Sequence, residues 1–144
     1  MILEKSFIKK FEENLSADVK LSNYSWFNLG GPAEYFFKPE NKDQLIKFLK
    51  ENQKNKLKIT ILGAGSNTLI RDNGIKGVVI KLGKDFSKIQ QIDKEVIEVG
   101  AATLDKKVAN FAEANGIANF EFLACIPGSL GGAVIMLSLI HISE

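Results

Sequence analysis

Lys58 to Leu62 reads as a buried strand, and it runs without a break into Gly63-Ala64-Gly65-Ser66-Asn67-Thr68. Glycines at such a turn let the backbone come close to a ligand, and consecutive N–H groups can form a nest for a phosphate oxygen. Ser66, Asn67 and Thr68 add side-chain hydrogen bonds. A triphosphate-binding loop would need Gly-x-x-x-x-Gly-Lys-Ser/Thr, and no lysine stands at the required place. A Rossmann turn would need a third small residue where Thr68 stands, followed by a helix. Only about ten residues separate Asn67 from the next apolar strand, Val78 to Leu82, and Asp72-Asn73-Gly74 lies among them. A parallel crossover takes about a dozen residues or more, usually helical. Both familiar phosphate folds are therefore excluded. What remains is a purely structural turn, or a phosphate-cradling one in another fold.

The surrounding elements alternate between helix and strand. Met1 to Leu15 repeats Leu3, Phe7, Phe11 and Leu15 at steps of four among charged residues, which predicts an amphipathic helix rather than a secretory leader. Residues 1–20 are assigned to this N-terminal helical segment. Ala33 to Lys38 reads as a strand ended by Pro39, and Asn41 with Gln44 as a capping box opening a helix with Leu45, Ile46, Phe48 and Leu49 on its apolar side. Strands are expected at Phe86 to Ile92 and Val96 to Val99, turning at Asp93-Lys94. Thr103 is expected to cap a helix bearing Leu104, Val108 and Phe111, with Gly116 as its left-handed C-terminal cap. The order predicts an α+β domain.

A second glycine-rich segment lies at Phe120 to Val134, where Pro127-Gly128-Ser129 forms a rigid turn. Gly131-Gly132-Ala133 then permits close approach of another backbone or of a flat ring. The bland reading is a tightly packed buried turn, with Cys125 as a small apolar filler. Leu123 to Ile142 is twenty residues without a formal charge, long enough for a membrane span, and Gly128 and Gly132 make a Gly-x-x-x-Gly pair. The Pro-Gly-Ser and Gly-Gly breaks near its middle, and the lack of basic flanks, argue against membrane insertion. A net charge of +2, from 19 basic and 17 acidic residues, excludes a strongly electrostatic nucleic-acid binder. A lone Cys125 cannot form an internal disulfide, which fits a reducing, cytoplasmic setting. One arginine, Arg71, and one histidine, His141, leave few groups for anion clamps or imidazole catalysis, and no metal site is expected.

Three segments taken together are more specific than any alone. Trp26 to Ala33 (Trp-Phe-Asn-Leu-Gly-Gly-Pro-Ala), Leu62 to Ile80 and Phe120 to Val134, in this order and spacing, closely resemble the N-terminal half of the UDP-N-acetylenolpyruvoylglucosamine reductase (MurB) family of peptidoglycan-synthesis flavoenzymes. The resemblance covers roughly residues 3–136. It implies an FAD-binding domain of the vanillyl-alcohol-oxidase (PCMH) type, with two small α/β subdomains and the flavin between them. It implies that Gly63, Ala64, Gly65, Ser66, Asn67 and Thr68 wrap the FAD pyrophosphate. Ile126, Pro127, Gly128, Ser129, Gly131, Gly132, Ala133 and Val134 would lie along the flavin, and Ala101, beside Ala102, would sit near the cofactor. Arg71-Asp72 is expected to shape its loop. The family reaction implied is reduction of FAD by NADPH and hydride transfer to the enolpyruvyl group of a UDP-sugar, with a serine as proton donor and an arginine and a glutamate stabilising the intermediate.

The pattern ends at Met136. The family continues with an Asn-Ala-Gly-type segment, whereas Leu137 to Glu144 reads Leu-Ser-Leu-Ile-His-Ile-Ser-Glu, which looks like translated adapter sequence. The resemblance therefore implies a partial FAD-binding domain over 21–136, incomplete at its C-terminus, with a non-family tail at 137–144. The family's catalytic serine, arginine and glutamate map onto no residue here, since Ser129, Arg71 and Glu121 stand at other motif positions. Catalytic inactivity of this chain alone is expected.

Overall fold

Leu15–Lys20 (β1), Pro32–Phe37 (β2), Ile59–Ile61 (β3) and Ile75–Ile80 (β4) form one sheet in the order β1-β2-β4-β3. β1 runs antiparallel to β2, while β4 pairs in parallel with both β2 and β3. The computed structural model describes residues 5–141. They fall into two compact units, Met1–Gly83 and Lys84–Glu144. The sheet frames the first.

The inner strands read as continuous apolar runs, Tyr35-Phe36-Phe37 and Val78-Val79-Ile80, because both faces of the sheet are covered. On one face Leu15, Tyr35, Phe37, Val78 and Ile80 meet Phe7 and Phe11 from the N-terminal segment, together with Phe48 and Leu57. Phe48 belongs to Lys42–Asn55 and Phe7 to the helix Lys5–Lys10, which are α2 and α1. On the other face Ala33, Phe36 and Val79 are closed by Leu21, Leu62 and Ile70. Loops do the covering there, and they are the loops that carry the first two motifs.

Helix α2 follows its signals closely. The Asn41 side chain accepts from the Gln44 N–H at 3.0 Å, and the Gln44 side chain accepts from the Glu40 N–H at 2.7 Å. Its far end turns through Lys56 in the left-handed region (φ 51°), braced by buried Asn52, whose amide both donates to and accepts from the Leu57 backbone at 3.1 Å.

The N-terminal helix assigned to residues 1–20 is corrected. Leu3 lies outside the described residues, α1 ends at Lys10, and Leu15–Lys20 is strand. The step of four persists beyond the helix because the Asn14 and Leu15 N–H groups both donate to the Phe11 carbonyl, at 2.9 and 2.8 Å. That single turn keeps Leu15 on the side of Phe7 and Phe11, so one buried stripe spans two kinds of backbone.

A second correction concerns β3 and β4. The short spacing argued against a parallel pair, yet they are parallel neighbours, and β4 starts at Ile75 rather than Val78. Residues 62–74 make the connection without a helix. A helix is dispensable because Leu62 and Ile70 of the connection themselves bury against the sheet.

In the second unit Ile89–Asp93 (β5) and Val96–Val99 (β6) form a hairpin turning at Lys94-Glu95 rather than Asp93-Lys94, and Phe86 and Ser87, expected in the strand, belong to the 3-10 turn Lys84–Ser87. Helix α3, Asp105–Ala114, ends with Gly116 at φ +67°, where Ile117 N–H donates to Ala112 and Gly116 N–H to Glu113. This is a Schellman cap. Its start is corrected: the cap position is Leu104, and the Thr103 hydroxyl is buried without a partner. Val108, Ala109 and Leu123 form the core, with Ile89, Ile97, Val99 and Phe120 against it.

The apolar stretch from Leu123 divides into the 3-10 turn Glu121–Cys125, the Pro-Gly-Ser turn and α4, Leu130–His141, while Ile142 lies outside the described residues. Among the described residues no helix is long and apolar enough to cross a membrane. Cys125 is exposed, not a filler, since the 3-10 turn spends its inward position on Leu123.

Candidate functional site

Strands β3 and β4 end side by side. Ile61 pairs with Ile80, and the Leu62 N–H donates to the Ile80 carbonyl at 2.9 Å. Gly63 to Thr68 then bends away from the carboxyl edge of the parallel strands, where open α/β sheets hold their ligands. Gly65 sits at φ +76°, and a Cβ there would stand 2.0 Å from the Tyr24 carbonyl oxygen. The Gly65 carbonyl accepts from the Trp26 N–H at 3.0 Å. None of the N–H groups of residues 64–68 donates to another backbone carbonyl among the described residues. The loop is therefore pinned through its carbonyl side while its donors are left open, an arrangement suited to a polyanion.

Two neighbours escaped the sequence reading. The Lys81 ammonium donates to the Gly63 carbonyl at 2.5 Å and stands 6.0 Å from the centre of the Tyr24 ring. Tyr24 stacks on Phe36 with ring centres 4.7 Å apart. Burial, with the nearby Lys38 charge adding to it, holds the Lys81 ammonium below the ordinary lysine pKa. Lys81 was legible as the first polar residue after Val78-Val79-Ile80, but its place beside the glycine loop depends on the β3–β4 register. Trp26, Phe27, Leu29 and Leu69, on the loops around this site, are all more than half exposed.

Arg71-Asp72 shapes its turn through the backbone. The Arg71 carbonyl accepts from the Gly31 and Gly74 N–H groups at 3.0 and 2.9 Å. A Cβ on Gly31 would meet the Asp72 carbonyl oxygen at 1.9 Å, so the Gly30-Gly31-Pro32 motif is spent on this contact.

A second cluster forms in the Lys84–Glu144 unit, where Ala101 to Asp105 packs on Gly128 to Gly131. Leu104 and Ser129 form a β-bridge, Leu130 N–H donates to Thr103 at 2.8 Å, and Gly131 N–H donates to Ala101 at 2.9 Å. A Cβ on Gly131 would lie 2.9 Å from the Ala101 Cβ, and one on Gly128 2.7 Å from an Asp105 carboxylate oxygen. Packing accounts for both glycines. Ser129 and Ala133 are buried, whereas Pro127, Gly132 and Val134 are exposed, and Gly132 has only the Ser129 hydroxyl, at 3.4 Å, near its missing side chain. The open backbone of this segment is thus at Gly132.

Asp105, against Gly128, is 0% exposed, and neither carboxylate oxygen has a hydrogen-bond partner among the described residues. Burial raises its pKa. A carboxyl whose folded pKa exceeds its unfolded one contributes stability that is complete below the unfolded value, about 3.9 for aspartate, and lost as pH rises through the folded value. Asp105→Asn is therefore expected to be more stable than the parent at neutral pH and to lose the decline above pH ~4. Urea midpoints taken across that pH range test this; parallel curves for the two proteins would refute it.

A mixed sheet with a glycine loop at the carboxyl edge of its parallel strands, joined in sequence to a hairpin-and-helix unit, is an α+β architecture with the loop placed where such sheets hold ligands. The chain belongs to the FAD binding domain family, matching it over residues 33–141. It is 52% identical over 133 residues to the UDP-N-acetylenolpyruvoylglucosamine reductase of Pelagibacter ubique (strain HTCC1062), covering 90% of this chain and 44% of that protein. It is likewise 52% identical over 119 residues to the reductase of that name from Rickettsia felis (strain ATCC VR-1525 / URRWXCal2), covering 83% and 40%. The crystal structure of UDP-N-acetylenolpyruvylglucosamine reductase (MurB) from Thermus caldophilus superposes with a TM-score of 0.64 at 30% identity, over 83% of this chain and 40% of that one. p-Cresol methylhydroxylase, at a TM-score of 0.52 and 17% identity over 80% of this chain and 26% of its own, shares the fold. The MurB-family resemblance and the PCMH-type fold expected from the three motifs are borne out, with FAD as the cofactor class. The chain spans 40–44% of the length of these curated relatives.

Proposed function

We propose that this chain is the FAD-binding part of an NADPH-dependent reductase converting UDP-GlcNAc-enolpyruvate to UDP-N-acetylmuramate in the cytoplasm. Residues 21–136 form that part, and 137–144 are a segment of other origin, of which 142–144 lie outside the described residues. The observation that carries the reading is the set of backbone donors at 64–68 left open by a loop held through its Gly63 and Gly65 carbonyls, which accept from Lys81 and Trp26.

In this reading Gly63 to Thr68 takes the diphosphate of FAD. Gly65 lets the loop pack directly on the Tyr24 backbone, which fixes its course, and the 64–68 N–H groups donate to the phosphate oxygens. Ser66, Asn67 and Thr68 supply hydroxyl and amide donors. Ile126 to Val134 and Ala101 border the flavin ring, with Gly132 offering backbone free of a side chain. When bound, the flavin supplies hydride transfer between NADPH and the enolpyruvyl double bond. This chain's own residues bind and orient; no proton donor is assigned among them.

Titrating the 144-residue chain with FAD and following the flavin fluorescence tests the reading. Saturable binding is expected, with riboflavin, which lacks both the diphosphate and the adenosine, at least about tenfold weaker, since charge-assisted hydrogen bonds to the diphosphate contribute about 1.5–3 kcal/mol each. FAD is expected to be lost on gel filtration, and NADPH oxidation dependent on the UDP-sugar to be absent. No FAD binding, or FAD and riboflavin of equal affinity, would refute the site.

A further inference from the structure

We infer that Lys81 is a specificity-determining residue for the dinucleotide, its ammonium bridging the Gly63 carbonyl and a phosphate oxygen of the ligand seated on loop 63–68. The inference rests on the function proposed above and adds a residue that no motif indicated.

Register brings Lys81 to this position. Because Ile80 pairs in parallel with Ile61, the residue after β4 falls beside the residues leaving β3. The Lys81 N–H donates to the Phe37 carbonyl at 3.0 Å, so its backbone is tied into the sheet and its side chain starts from a rigid point. The ammonium carries three donors, and one goes to the Gly63 carbonyl.

Charge is the second argument. Lys81 is half-buried, yet among the described residues it makes no ion pair. Its neighbours are a carbonyl oxygen, the face of Tyr24 and the like charge of Lys38, and Lys38 itself pairs with Glu40 at 3.6 Å. A cation withdrawn from water without a counter-anion is costly. An anion placed on the open N–H groups next to Gly63 would relieve that cost and complete the donor set. A diphosphate fits, since its charge exceeds what neutral backbone donors alone can balance.

A purely structural tether would behave differently from a phosphate partner. Lys81→Gln keeps a donor for Gly63 and removes the charge, while Lys81→Arg keeps the charge. Dissociation constants for FAD and for riboflavin are measured on the parent and both variants by fluorescence titration, alongside thermal melting. Lys81→Gln is expected to weaken FAD about 10- to 100-fold, leave riboflavin unchanged and melt near the parent, and Lys81→Arg to recover most of the FAD affinity. FAD affinity of the unmodified chain should also fall with rising sodium chloride while riboflavin affinity does not, a measurement that requires no variant to fold. FAD binding to Lys81→Gln at parental strength overturns the inference while leaving the glycine-loop site intact. So does an equal loss of FAD and riboflavin with a lower melting temperature, which marks a tether only. A parent that does not prefer FAD to riboflavin overturns the site itself.

Discussion

Gly65→Ala is expected to remove saturable FAD binding, weakening it by at least about 100-fold, while Gly116→Ala leaves it unchanged. Both glycines have positive φ, +76° and +67°, so both variants carry the penalty of about 1–2 kcal/mol for an L-residue in the left-handed region. They differ in space. The Gly65 Cβ would stand 2.0 Å from the Tyr24 carbonyl oxygen, 3.1 Å from its carbon and 3.3 Å from the Ser25 Cα, whereas nothing lies within 4 Å at Gly116. The obstructing atoms at Gly65 are backbone, so no rotamer change relieves them. The loop must swing away, breaking the Trp26 N–H bond to the Gly65 carbonyl and scattering the donors at 64–68. FAD titration of the two variants, each checked for folding by its melting curve, gives the comparison. A Gly65→Ala protein that melts normally and binds FAD like the parent would show that the loop does not seat the diphosphate.

The same loops mark where sequence reasoning reached and where it stopped. Helix α2 was legible because its signals are local: Asn41 and Gln44 cap it within a single turn. The glycine loop was legible because a strand running into Gly-Ala-Gly leaves few conformations. Leu15 was misread because a step of four looks alike in a helix and in one turn followed by a strand that packs on the same side. The β3–β4 pairing was missed because chain spacing alone does not show that Leu62 and Ile70 bury the connection against the sheet. Lys81 was missed for a related reason: only the register sets it beside Gly63. In the second segment the residue types were read correctly as small and close-packed, but which glycine meets protein and which stays open depends on partners 30 and 23 residues away, Ala101 for Gly131 and Asp105 for Gly128. Local chemistry could be read; long-range pairing could not.

Phe48→Ala is expected to destabilise the Met1–Gly83 unit by about 3–5 kcal/mol, the usual cost of removing a buried phenyl ring. Phe48 is 0% exposed and stacks on Phe37 with ring centres 4.1 Å apart and an interplanar angle of 18°. Phe11 and Phe7 meet its edge at 5.3 and 5.6 Å. Removing it leaves a cavity bounded by three aromatic rings, of which Phe37 is fixed in β2 and Phe11 is held against Phe37 with ring centres 5.9 Å apart. Phe27, 55% exposed, is the control, and Phe27→Ala should stay within about 0.5 kcal/mol of the parent. Phe48→Leu, which refills part of the volume, should fall between the two. Urea unfolding followed by hydrogen exchange at the amides of β2 and β4 measures the effect where the ring packs. Since domains of this size are held by only about 5–15 kcal/mol, a loss of the expected size leaves the sheet, and with it the strand ends that carry Gly63 and Lys81, marginally folded. A Phe48→Ala protein within about 1 kcal/mol of the parent would mean that this face of the sheet is not the unit's main core.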